Sequence, residues 1–587
     1  MLAEHPYVLL DDARPDGAAA RLYVRPVRVL EARTASEVRP VLDGVRQATR
    51  DGLHAAGFLA YAAGKGFEPT AGALGSGDGP LAWFGLFEQF ETITDVPGRL
   101  PDPAGAWLGA LQPEVDRDAY DADLTRVLDL IAAGDLYQAN LTFRARVPFA
   151  GDPLAVYARL RRASEAGWGA IVNTGAQTLL SLSPELFFAL DGGRLTCRPM
   201  KGTAARRDDA QEDAATARAL AADEKQRAEN LMIVDLMRND LARVAVPGSV
   251  RVPELFAVER YPTVHQMTST VTATLAPESD AVDVLAALFP CGSITGAPKV
   301  RAMQAIADIE HSPRGAYCGS IGRIDAAQDG GGGNAQFNVA IRTLTIPQGD
   351  DHATLGLGSG IVADSRPDDE WQECLDKGAF LHTGANASDL FETMAFDPEE
   401  GLALLDRHLA RLRASAEAFG YPFDRHATRN ELQAATFRLR DARRIRLLLS
   451  STGAIAIEVS ALPAAPPVPV PIRLVSLPVD PSDVRLRHKT SDRGFYDQAR
   501  SREDGAFEVV FEAPDGSLTE GSFTSLFVER DGMLITPPLG SLLPGVLRAE
   551  LIATGRAREG VLTRADLAHG VFIGNALRGL IPARLLY

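Results

Sequence analysis

The sequence predicts a mixed α/β chain built as two modules, and three observations carry that reading. Strand-like runs alternate with amphipathic helices along the 587 residues. A small-polar stretch, TGANAS at 383–388, separates two differently patterned regions. A Pro-rich joint, LPAAPPVPVPIRL at 462–474, reads as an extended strap within the second region. The expected modules are 1–383 and 384–587, the latter divided into subdomains at 388–465 and 470–587.

The elements follow in order. In the first region GAIVNTG, LLSLSPELFFAL and ATLGLGSGIVA read as strands. Residues 118–133 place Tyr120, Leu124, Val127, Leu128 and Ile131 at helical spacing, with Gly134 as the stop. Residues 210–245 read as a longer helix with one turn-like break, and DGGGGN at 329–334 as a loose hairpin loop. The second region restarts with LFETMAF as a strand, then a helix with Leu405, Leu409, Leu412 and Ala416 on one stripe. No internal repeat is visible, so the modules read as unrelated.

Composition removes several classes of function. With 46% hydrophobic and 23% charged residues the chain is not a disordered one. Its 60 basic residues against 77 acidic ones leave a formal charge of -17, which repels nucleic acid. Cys197, Cys291, Cys318 and Cys374 form no CxxC pair, which argues against a disulfide scaffold and a zinc site. No apolar stretch approaches the ~18 residues of a membrane span. The start, MLAEHPYVLLDDARPD, carries acids where a signal peptide carries a basic flank. A soluble cytoplasmic protein is expected.

Several segments carry chemistry. RPMKGTAARR sets Lys201 in a strand-to-loop exit, where a lysine by itself is commonly a solvated turn residue. Glu229 sits on an otherwise apolar helix. In DDEWQECLDK, Glu370, Glu373 and Lys377 share one helical face, either as a surface ion pair or as part of an oxygen-rich Mg²⁺ site. GSITGAPKVRAMQAI offers Ser293, Thr295 and Gly296 before a helix with Pro298 in its first turn, a place to receive a carboxylate. In GLGSGIVADS, Gly358, Ser359 and Gly360 let backbone N–H groups approach a ligand.

In this order, IAAGDLYQANLT, SPELFF, RPMKGT, AENLMIVDLMRNDL, PCGSITGAPK, RGAYCGSIG, FNVAIRTL and GSGIVADSRPDDEWQE resemble the chorismate-utilising enzymes across residues 115–380. The resemblance implies a sandwich of antiparallel sheets flanked by helices that binds Mg²⁺ and chorismate. Within that family, anthranilate synthases carry alanine where this chain has Lys201 in Pro199-Met200-Lys201-Gly202-Thr203. The lysine is similar to that of the aminodeoxychorismate synthase branch. Its amine can add to C2 of chorismate as the C4 hydroxyl leaves, and ammonia then displaces it at C4.

Carried over by motif, Glu185 looks like the general acid/base, and Glu229 and Glu373 like the Mg²⁺ ligands, with Glu370 an outer partner. His265, Thr295, Tyr317, Arg342 and the amides around Ser359 and Gly360 look like substrate contacts. Gln226 departs from the family, which often has an acid there. None of the four cysteines lies in a G-x-C-x-G nucleophile elbow, so ammonia is expected from a separate glutamine amidotransferase subunit. VLLDDAR stands where the family's tryptophan pocket often begins with an L-L-E-S-like segment, and no tryptophan binding is inferred.

In the second region LRHKTSDRGFYDQ places Lys489 in what is either a basic surface loop or a cofactor site. Glu520 follows 31 residues later in TEGSFTSLF. Pyridoxal phosphate needs such a pair, a lysine amine and an acid at the pyridine nitrogen. LLPGVLRAELIATG adds a Pro-Gly turn opening a helix, with the Val546 and Leu547 amides available to phosphate, and Asn575 and Arg411 complete the set. The order resembles the fold-type IV pyridoxal phosphate enzymes over 388–584, the aminodeoxychorismate lyases above all. The resemblance also implies pairing of two copies through this module. Ser525 stands where the family usually has Asn.

Together the two resemblances imply 4-aminobenzoate synthesis for folate: amination of chorismate at C4, then loss of pyruvate. Two alternatives remain at this point. The second module could be an inactive docking or dimerisation unit, or an anthranilate synthase-like module could be joined to a class IV aminotransferase.

Overall fold

Two runs of the sequence explain how the first unit is laid out. Trp168–Asn173 and Gln177–Ser183 are buried on both faces almost throughout, and they pair antiparallel. The run LLSLSPELFFAL, however, is not one strand. It leaves the first sheet at Ser183 and enters a second as Leu186–Asp191. Pro184 has no N–H to continue the ladder, so the chain changes sheet there and leaves Glu185 at the crossing.

The computed structural model describes residues 6–72, 77, 79–261, 264–327, 333–382, 388–568 and 570–586. TGANAS, apart from Ser388, and DGGGGN, apart from Gly333 and Asn334, lie outside them. By contacts the chain divides into two units: Met1–Leu100, Leu111–Phe149 and Tyr157–Gly384 in one, Pro101–Ala110, Ala150–Val156 and Ala385–Tyr587 in the other. Among the described residues no helix is long and apolar enough to cross a membrane.

The first unit is a sandwich of two large antiparallel sheets, the second of them 10-stranded among the described residues. Side chains from both sheets meet in one cluster that includes Val8, Tyr23, Phe58, Trp83, Val172 and Leu179. The other face of the second sheet is covered by helices, with Leu42, Met237 and Leu285 packing on Phe187, Phe188 and Phe337. This is the flanked antiparallel sandwich that the motifs imply.

Helix Arg117–Ala132 is capped by Asp116, which accepts from the Ala119 N–H, and Gly134 follows with φ +81°. The long helix expected at 210–245 is two, Ala210–Ala222 and Glu224–Ala242. Asp223 makes the break: it ends the first and caps the second by accepting from the Gln226 N–H.

The second unit holds a 4-stranded sheet and an 8-stranded one. Leu390–Asp397 lies in the smaller sheet, against helix Leu405–Phe419, which buries Leu409, Leu412 and Ala416. The larger sheet is mixed: Val470–Ser476 pairs parallel with both Glu508–Glu512 and Gly579–Leu585. The Pro-rich strap is therefore shorter than its composition suggests. Its last five residues belong to this strand, where Val470 and Ile472 are core residues and no other proline interrupts the pairing after Pro471.

Candidate functional site

The first site is floored by main chain. Strand His352–Ile361 pairs with Gln138–Gly151 along its whole length, from His352↔Pro148 to Ile361↔Ala139. Gly356, Gly358 and Gly360 share one face by strand alternation. A Cβ at 356 would run into the ring of Tyr317, one at 358 would lie 2.6 Å from Thr142 Cγ2, and one at 360 would lie 2.5 Å from Lys201 Nζ. The glycines are what let these three side chains lie on the backbone. Ser359 faces the other way, with its Oγ 3.4 Å from the Tyr120 hydroxyl, so only its backbone belongs to the floor.

Lys201 comes from strand Met200–Ala205 rather than from a loop exit, because Met200–Ala205 pairs with Val264–Thr274 around a bulge. Its Nζ stands 3.8 Å from Glu229 Oε2. Burial pushes the Glu229 carboxyl up, Glu373 adds to that, and Lys201 and Lys225 oppose it. Glu373 accepts from Lys377 Nζ at 2.7 Å, so the surface ion pair is present, and the same ammonium donates to Gly358 O at 2.8 Å. Glu370 accepts from Ser365 Oγ at 2.6 Å. Glu229 and Glu373 are hard oxygen donors with coordination sites to spare, which fits Mg²⁺. Among the described residues one group of three ligating side chains converges elsewhere, Asp350, Asp351 and His352 on a surface turn, and it has no buried member.

Glu185 is 4% exposed, and Ser293 Oγ donates to its Oε1 at 2.7 Å. Burial pushes its carboxyl up to about 7 against the Ser293 hydrogen bond and the Lys201 charge. Ser293 and Thr295 do not open a helix. Gly296–Ala297 pairs with Gln138–Ala139 instead, Thr295 Oγ1 donates to Cys291 O at 2.8 Å, and the helix starts at Lys299 after Pro298. His265 is engaged by Asp213 at 2.8 Å, and Asp213 also pairs with Arg206. Tyr317 is 9% exposed. The Arg342 guanidinium has no hydrogen bond or ion pair among the described residues, and burial pushes it down from its ordinary value. An unneutralised, withdrawn cation is suited to a carboxylate.

One residue of this site was not singled out from the sequence. Gln138 is fully buried, and neither atom of its amide has a hydrogen-bond partner. The same Cβ position at Gly360 that meets Lys201 lies 2.9 Å from Gln138 Nε2, so the two side chains crowd one spot. The available signal was a polar side chain opening the mostly buried run Gln138–Gly151.

The second site lies in the second unit. Lys489 is half-buried behind the short helix Val484–Arg487, with Nζ 5.0 Å from the centroid of the Phe391 ring. Burial, aided by Arg411, Arg493 and Arg446, pushes its amine down to about 7, and Glu392 opposes the shift. Glu520 stands on strand Leu518–Gly521 and accepts from the Tyr496 hydroxyl at 2.8 Å and the Leu543 N–H at 3.1 Å. Burial pushes its carboxyl up to about 7.

Arg411 is held on two sides. Nε and Nη2 grip Glu392 at 2.8 and 2.6 Å, and Nη1 donates to Pro544 O at 3.0 Å. Glu392 is 1% exposed and also meets His408 Nδ1 at 2.7 Å, a pairing the sequence did not announce. Pro544 and Gly545 precede helix Val546–Ala553, whose first-turn amides, those of Val546 and Leu547, have no intrahelical acceptor. Ser525 Oγ packs against Gly545, which puts it beside this turn. Asn575 organises its own turn: Nδ2 donates to Phe523 O, and Oδ1 accepts from the Leu577 and Arg578 amides. An amine that loses its proton near neutrality, a buried acid and a helix start backed by arginine fit the aldehyde, pyridine nitrogen and phosphate of pyridoxal phosphate.

Comparison with known proteins finds two family matches along the chain. Residues 5–383 match the family described as chorismate binding enzyme, and residues 389–586 match amino-transferase class IV. Aminodeoxychorismate synthase component 1 of Salmonella typhimurium is 46% identical over 284 residues, 48% of this chain and 60% of that protein. Its counterpart from Escherichia coli is 46% identical over 266 residues, 45% of this chain and 57% of that protein. The chain thus spans less than two thirds of these relatives. The crystal structure of anthranilate synthase component I from Streptococcus pneumoniae superposes with a TM-score of 0.54 at 27% identity, over 62% of this chain and 92% of that one.

Proposed function

The chain belongs to the chorismate binding enzyme family, and from that premise we propose that it makes 4-aminobenzoate in two stages, one in each unit. The observation that carries the reading is the Lys201 amine lying on Gly360, with Glu229 3.8 Å away and its charge felt by the buried Glu185. A primary amine at that place offers a nucleophile to the substrate ring.

Lys201 Nζ forms a bond to C2 of chorismate while the ring double bonds shift and the C4–O bond breaks. Glu185, protonated up to about pH 7, gives its proton to the departing oxygen. Ammonia then bonds to C4, the double bonds shift back, and the C2–Nζ bond breaks. The product is 4-amino-4-deoxychorismate. Arg342 pairs with a substrate carboxylate, and the backbone of Gly358–Gly360 lies flat beneath the ring. Glu229 and Glu373 would hold a magnesium ion, which would supply positive charge to a second carboxylate. All four cysteines are buried, which supports delivery of ammonia by a separate glutamine amidotransferase subunit. Unpaired thiols also suit a cytoplasmic setting.

In the second unit pyridoxal phosphate supplies the electron sink for elimination of pyruvate. Lys489 would hold its aldehyde, Glu520 would hold the proton at the pyridine nitrogen, and Arg411 with the Val546 and Leu547 amides would hold the phosphate. The Lys489 amine takes the proton from substrate C4, and two copies of this unit pair. The test is incubation of the purified chain with chorismate, ammonium, Mg²⁺ and pyridoxal phosphate. 4-Aminobenzoate with equimolar pyruvate is expected; anthranilate as the aromatic product overturns the reading.

A further inference from the structure

The turn that follows Glu520 is wrapped around a second carboxylate. Glu508 is 0% exposed, and no cation pairs with it among the described residues. Its Oε1 accepts from the Val509 N–H at 2.9 Å, the Ser522 N–H at 3.0 Å and Ser522 Oγ at 2.6 Å. Its Oε2 accepts from the Phe523 N–H at 3.1 Å and Thr524 Oγ1 at 2.9 Å. Four of these five donors belong to three consecutive residues.

The turn itself closes through Gly521 N–H to Thr524 O at 2.7 Å. A Cβ at Gly521 would lie 2.8 Å from Glu508 Oε2 and 2.5 Å from Thr524 Oγ1, so the turn and the carboxylate leave no room between them. Successive N–H groups converging on one point form a nest that ordinarily receives a bound anion. Here the chain supplies the anion itself. Strand Glu508–Glu512 is paired on one side with Val470–Ser476 and on the other with the strand of Glu520, so the carboxylate is anchored in the sheet.

We propose that Glu508 is the positioning residue of the second site: as the internal anion of the Gly521–Thr524 turn it fixes the backbone on which Glu520 stands. The assignment rests on the reading that this unit binds pyridoxal phosphate. Glu508 touches no ligand and acts through Glu520. Without it, Ser522 and Phe523 lose their acceptor, the turn opens, and Glu520 no longer meets the pyridine nitrogen in one orientation. A glutamine in its place keeps the shape, yet one oxygen becomes an NH₂ group that faces donors instead of accepting from them.

The experiment uses the full chain with Glu508→Gln and Glu508→Ala, the glutamine variant guarding against misfolding of the other. Amide hydrogen exchange at Ser522 and Phe523, read without cofactor, is expected to quicken by about tenfold or more in the glutamine variant. Titration with pyridoxal phosphate is expected to show weakening of similar size and an altered visible absorbance band, while chorismate amination with ammonium is unchanged. Wild-type exchange at the two amides, or wild-type affinity and band in both variants, overturns the role of Glu508. A wild-type chain that takes up no pyridoxal phosphate sinks the cofactor reading, and the assignment falls with it for that separate reason.

Discussion

The Lys201 amine stands 3.8 Å from Oε2 of Glu229, near enough to feel its charge and too far for a hydrogen bond. An ammonium tied into a close ion pair would be a poor nucleophile. Here the lysine lies within the field of the carboxylate without being tied into a close pair.

Replacement of Lys201 by alanine is expected to lower 4-aminobenzoate formation by several orders of magnitude, on the scale of losing a catalytic group. Product analysis by chromatography should show any residual amination moved to the position next to the ring carboxylate. Undiminished 4-aminobenzoate would remove Lys201 from the reaction.

Glu185 sets a pH limit. Its raised carboxyl is protonated below about 7 and loses the proton above it, so amination measured at constant free ammonia should decline as pH rises through that value. Glu185→Gln should remove the limb together with most of the rate. A profile flat from pH 6 to roughly 8 in the wild type speaks against Glu185 as the acid.

The two carboxylates that both feel the Lys201 charge test the metal assignment. Glu229→Gln or Glu373→Gln should raise the Mg²⁺ concentration for half-maximal amination by tenfold or more, about the effect of losing one of two ligands. Cleavage of supplied 4-amino-4-deoxychorismate should continue at the wild-type rate. Loss of both activities in a folded variant refutes the division of labour.

Lys489 is expected to take up pyridoxal phosphate faster as pH rises through about 7, since its amine is depressed and is neutral above that value. Stopped-flow absorbance measures it directly. Lys489→Ala should leave chorismate consumption intact and stop pyruvate release, and pyruvate at the wild-type rate would falsify the assignment.

A structural ion pair offers a stability test. Arg314 and Glu310 are 2% and 1% exposed and 2.7 Å apart, and Arg314 also donates to Ile294 O and Asn140 O. Arg314→Met leaves Glu310 buried with Thr142 as its one side-chain partner among the described residues and should cost about 3 kcal/mol in urea unfolding. The double variant with Glu310→Leu should lose less than the sum of the two single changes.

What the sequence made legible follows from what is local. Helix Arg117–Ala132 was readable because its periodicity, its Asp116 cap and its Gly134 stop are all neighbours in the chain. Lys201, Glu229 and Glu373 could be listed from motifs, but their meeting depends on two helices and a strand brought together by long-range pairing. Glu185 was readable as a residue and not as a place, since the change of sheet at Pro184 depends on which strands receive each half of the run. Glu392 and Glu508 were invisible for a common reason. Each matters through what it faces, and nothing beside it in sequence says what that is.

The glycine face of His352–Ile361 also bears on the thermodynamics of binding. A surface lined by side chains must freeze rotamers when a ligand settles on it, at about 0.5–1.5 kcal/mol for each long one. Peptide groups locked in a ladder that runs from His352↔Pro148 to Ile361↔Ala139 have no rotamers left to lose. A ring resting there meets a wall whose disorder was already removed during folding, so the unfavourable entropy of association is carried by the ligand and by Lys201 rather than by the floor.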